Sequence, residues 1–107
     1  MSQCVRTYRV GDGIPFFAQL VDGRGAPIDL SGFEVTFKFK LGSQPTLRRL
    51  ATVVDAAAGR VAYLTQPEDF FLASEDCFRE WEITDADTGR LAHAPVRRIK
   101  FAVIDPL

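Results

Sequence analysis

The chain has 107 residues, 47% of them hydrophobic and 25% charged, with 13 basic and 14 acidic side chains leaving a formal net charge of -1. That is the length of one domain, large enough to bury roughly two thirds of its unfolded surface without metals or disulfides. The near-neutral balance excludes the broad positive field that draws proteins onto nucleic acid or anionic membranes, and no apolar run approaches the length of a membrane span.

The chain opens MSQCVRTYRV, with neither a basic head followed by an apolar stretch nor a small-residue cleavage site. Synthesis and folding in the cytoplasm are therefore expected, with Cys4 and Cys77 as separate reduced thiols. VRTYRV at 5–10 reads as a first strand leading into the Gly11-Asp12-Gly13 turn. IPFFAQLV at 14–21 reads as a second, with Phe16, Ala18 and Leu20 on one face and Pro15 at a strand start or edge. After the DGRGAP loop and IDLSG comes FEVTFKFKL at 33–41, the clearest element in the sequence. Strand side chains alternate between faces, so Phe33, Val35, Phe37, Phe39 and Leu41 share a dry side while Glu34, Thr36, Lys38 and Lys40 share a wet one. One buried and one solvated face is the habit of antiparallel sheets.

LRRLATVVD at 47–55 reads as a single further strand, with Ala51 and Val53 alternating against Thr52 and Val54. AAAG at 56–59 is a turn candidate, and RVAYLTQ at 60–66 puts Val61 and Tyr63 on one face. PEDFFLASED at 67–76 is expected to be a long loop with one helical turn, since Pro67, Glu68 and Asp69 suit a helix start. CFREWEIT at 77–84 places Trp81 and Ile83 opposite Glu80 and Glu82. DADTG at 85–89 turns the chain, and VRRIKFAVI at 96–104 closes it with Ile99, Phe101 and Val103 in register. About seven short antiparallel strands separated by turns predict a single all-β domain over 1–107, a sandwich or a small barrel.

Chemistry is sparse. His93 is the sole histidine, in LAHAP, and no G-x-S-x-G elbow or cysteine signature accompanies it; it reads as a surface or turn residue. DADTG has the first oxygens of a calcium loop but lacks the later ligands and the closing glutamate, and Asp and Gly suit any hairpin turn. Arg6, Arg9, Arg48, Arg49, Arg97, Arg98 and Lys100 form no patch with stacking aromatics, and charges of this kind also protect sheet edges. No catalytic residue, metal ligand or cofactor site is predicted, and neither nucleic acid nor membrane is expected as a partner. A stable sandwich of this composition is read as a module that binds or builds.

The order of motifs resembles the immunoglobulin-like domain at the N-terminus of the baseplate upper protein of tailed bacteriophages and of related virion proteins. The resemblance rests on GDGIPFFAQLVDGRGAPIDLSGFEVTFKFK at 11–40, VVDAAAGRVAYLTQPED at 53–69, REWEITDADTG at 79–89 and AVID at 102–105. It covers nearly the whole chain, and departs where LASEDC at 72–77 replaces a glycine usual before the Glu-Trp strand. The resemblance implies an immunoglobulin-like antiparallel sandwich and a non-enzymatic structural role in the virion, assembling with other virion proteins and further copies of itself. A capsid decoration protein and an adhesion module binding host-surface carbohydrate are the alternatives. Phe70, Phe71 and Leu72 in the 67–76 loop are the candidate interface anchors; the other reading is that they fold back to cap the core.

Overall fold

A computed structural model describes residues 6–104, with the backbone alone over 92–98. Eight strands follow in order: β1 (Arg6–Arg9), β2 (Pro15–Gln19), β3 (Phe33–Leu41), β4 (Leu47–Leu50), β5 (Thr52–Asp55), β6 (Arg60–Leu64), β7 (Ser74–Asp85) and β8 (Leu91–Ile104). They form a five-stranded sheet, β1-β8-β7-β3-β4, and a three-stranded sheet, β2-β6-β5. The all-β sandwich expected from the alternation is the observed architecture.

Strand β3 occupies the residues assigned to it from the sequence, and its faces divide as its alternation requires. Val35, Phe37, Phe39 and Leu41 are buried, whereas Lys38 and Lys40 turn outward. It is the inner strand between β4 and β7, so both its backbone edges are paired. The Phe37 ring stacks on Phe16 at 5.0 Å and Tyr63 at 5.1 Å from the other sheet, and meets Trp81 edge-on at 5.1 Å. Aromatic pairs at such separations add to the burial that drives the two layers together.

Three features differ from the sequence reading. The stretch 47–55 is two strands, because the chain leaves one sheet at Leu50 and enters the other at Thr52. Ala51 is buried at the crossing, and its N–H donates to the Val35 carbonyl at 2.8 Å. Second, β1 runs parallel to β8 while the remaining pairs are antiparallel. Third, residues 67–69 form a turn without helix.

The AAAG turn depends on its glycine. Gly59 has φ +69°, and a Cβ there would lie 2.5 Å from the Leu20 carbonyl oxygen and 2.9 Å from that of Ile28. The close approach lets Leu20 N–H donate to the Gly59 carbonyl at 2.7 Å, fastening the 20–28 loop to the start of β6.

A candidate interaction surface on the three-stranded sheet

Phe16 and Phe17 are consecutive in β2, so a strand cannot turn both inward. Phe16 is buried, and Phe17 stands on the outer face with 74% of its surface exposed. Register builds the rest of that face. Ala62 of β6 pairs with Phe17 on one side and Thr52 on the other, and Leu64 pairs with Pro15. The small Ala62 is thus the cross-strand neighbour of the projecting Phe17, and Leu64 and Val54 on the same sheet are exposed by 56% and 61%. A depression of about 490 Å³ is lined by Phe17, Ala18, Gln19, Val54, Arg60 and Val61. Phe17, Val54 and Leu64 together leave on the order of 350 Å² of apolar side chain in water, within the range of functional patches on monomers.

The outer face of the five-stranded sheet is unlike it. Lys38 Nζ lies 3.2 Å from Glu80 Oε1 and 3.4 Å from Glu82 Oε2, and Arg48 Nε lies 4.0 Å from Glu82 Oε1. One layer thus shows a cross-strand charge ladder to solvent and the other an apolar face.

The loop predicted to carry the interface is divided by the structure. Asp69 is fully buried and accepts hydrogen bonds from Tyr63 Oη at 2.5 Å, Arg49 Nε at 2.8 Å and Gln66 N–H at 2.8 Å. That anchorage draws the next residue inward. Phe70 has no exposed surface, its ring lies 5.1 Å from Phe101 and 5.6 Å from Phe39, and its carbonyl accepts from Gly11 N–H at 3.0 Å. Phe70 is therefore corrected from interface anchor to core residue, while Phe71 and Leu72 stay 48% and 38% exposed. Burial, reinforced by the bond to Asp69, pushes the Tyr63 phenol well above the ordinary tyrosine range.

Phe17, missed as a site residue, had a local signal: two adjacent aromatics in an alternating strand require one to face out. The Asp85 carboxylate accepts from Asp87 N–H at 2.8 Å and Thr88 N–H at 3.1 Å, so the DADTG oxygens serve a turn. Among the described residues, no three His, Cys, Asp or Glu side chains are placed to hold a metal ion. His93 lies where only backbone is described, paired with Ile83 inside β8, and Cys4 lies outside the described residues. Cys77 is buried and free.

The chain is thus a two-sheet β-sandwich whose smaller sheet presents an apolar outer face. Among solved structures it is similar to the N-terminal domain of phage TP901-1 ORF48, with a TM-score of 0.64 and 17% sequence identity over 97% of this chain and 86% of that one. No protein-family model and no curated protein matches the sequence.

Proposed function

We propose that this chain is a structural protein of a tailed-phage virion, working in the tail tip, baseplate or neck by protein–protein assembly and without catalysis. Its partners are other virion proteins and further copies of itself. Two independent likenesses support the reading: the motif order in the sequence, and the shared fold with a phage protein domain across nearly the whole chain. The observation that carries it is the apolar outer face centred on Phe17, whose exposure has no role in the chain's own core.

The contrast between neighbouring phenylalanines supplies the test. Phe17→Ser is expected to fold normally, with an unchanged urea midpoint, yet to be depleted from assembled particles. Phe16→Ser, introduced as the control, is expected to lose the fold. Normal incorporation of a folded Phe17→Ser protein would overturn the assembly role of this face.

A further inference from the structure

Position 79 breaks the rule that inward positions are apolar. Arg79 pairs with Phe39 on β3 and with Ile99 on β8, so its side chain leaves β7 on the same face as the buried Cys77, Trp81 and Ile83. Its guanidinium carbon sits 4.6 Å from the centre of the Phe16 ring, on the outermost strand of the smaller sheet. The five-stranded sheet continues beyond that point with β8 and β1. Arg6, opposite Phe101, shares the same inner face two strands away and adds a second positive charge.

One donor of the guanidinium has no partner. Arg79 Nε is buried without a hydrogen-bond partner, the one such side-chain atom among the described residues. Among the described residues no ion pair involves Arg79, and the charge brought near it by Arg6 is of like sign. A partly desolvated cation without an ion pair among the described residues is costly, and an unsatisfied buried donor asks for an explanation. The cation–π contact with Phe16 favours the charge but supplies no conventional acceptor. With Nε shut in, the two Nη atoms form the fork left to meet a planar anion.

We propose that Arg79, supported by Arg6, receives a carboxylate from a neighbouring virion protein, an aspartate or glutamate side chain inserted beside Phe16 at the margin of the smaller sheet. This inference rests on the assembly reading but uses a surface distinct from the Phe17 face. The occupant is acidic because the site offers two guanidinium groups and no ion-paired anion among the described residues, and a carboxylate matches the width of the Nη fork. Arginine is enriched at interface centres for this reason.

The buried Nε–H gives the experiment its probe. In uniformly ¹⁵N-labelled protein, the Arg79 Nε–Hε resonance is followed while sodium acetate is added at constant ionic strength against sodium chloride, with inorganic phosphate titrated in parallel. Acetate is expected to shift the resonance saturably where chloride does not, with the signal assigned by its loss in Arg79→Met. Phe17→Ser is expected to keep the acetate response, which separates this site from the apolar face. In particles, a folded Arg79→Met protein is expected to incorporate more than about tenfold less well than the parent, as for loss of one member of an interfacial charge pair. Arg79→Lys, which keeps the charge but not the fork, should fall between them. Identical acetate and chloride titrations, saturation by phosphate at lower concentration than acetate, or undiminished incorporation of a folded Arg79→Met protein would each overturn the proposal. If Phe17→Ser incorporates normally while Arg79→Met does not, the apolar-face reading fails and the arginine contact stands.

Discussion

Replacing Asp69 with alanine removes a carboxylate that is fully buried and accepts three hydrogen bonds. Two of the donors, the Tyr63 hydroxyl and the Gln66 N–H, lose their acceptor in part-buried surroundings, at about 1–3 kcal/mol each. The third donor, Arg49, has a side chain 35% exposed and is rehydrated at little cost. The charge-assisted bond is lost as well, and the relief of no longer burying an anion offsets part of the total, leaving about 3–5 kcal/mol, as when one partner of a buried pair is removed. Trp81, the single tryptophan, is 4% exposed and reports unfolding by fluorescence. With a urea dependence near 1–3 kcal/mol per molar for a domain of this size, the midpoint should fall by about 2 M. Tyr63→Phe should cost about 1–2 kcal/mol, and the double variant should cost less than the sum because both remove the same bond. A midpoint for Asp69→Ala close to that of the parent, or strict additivity with Tyr63→Phe, would refute this account of how the loop is held.

Two further expectations concern titration and the thiols. Tyr63 has a folded pKa raised above its ordinary 10.0, so the fold favours the neutral phenol. Its contribution is intact below about pH 10 and is lost as the pH rises through the folded value. Urea midpoints measured from pH 8 to 11 should therefore fall more steeply for the parent than for Tyr63→Phe, and parallel curves would reject the assignment. Burial also raises the Cys77 thiol, so iodoacetamide should leave it unmodified in the folded protein. After unfolding without reductant, mass spectrometry should find both Cys4 and Cys77 alkylated, whereas a bridged peptide would contradict the expectation of separate thiols.

Period-two alternation made β3 and the inward faces of β2 and β6 readable, because burial is dictated residue by residue along an extended chain. It carries no information about which sheet a strand joins or in which direction its partner runs. The alternation of 47–55 passes unbroken through Ala51, so the change of sheet left no mark, and nothing local in Arg6–Arg9 signals parallel pairing with β8. Phe70 went inward because Asp69 is tied to Arg49 and Tyr63, residues that come together only in the folded chain. Arg79 was concealed by its type, since a charged residue in a strand is ordinarily read as solvent-facing.

Pairing of β1 with β8 joins the earliest described strand to the latest. During synthesis β1 leaves the ribosome with no neighbour to bond, and the five-stranded sheet gains this edge only once β8 has emerged. Such distant pairing slows folding relative to local contacts. It also makes translation a form of timing. Arg6 cannot take its place near Arg79 until β8 is made, so the proposed acidic contact would be open only to chains that have reached β8, and fragments stalled before it would lack the complete docking point.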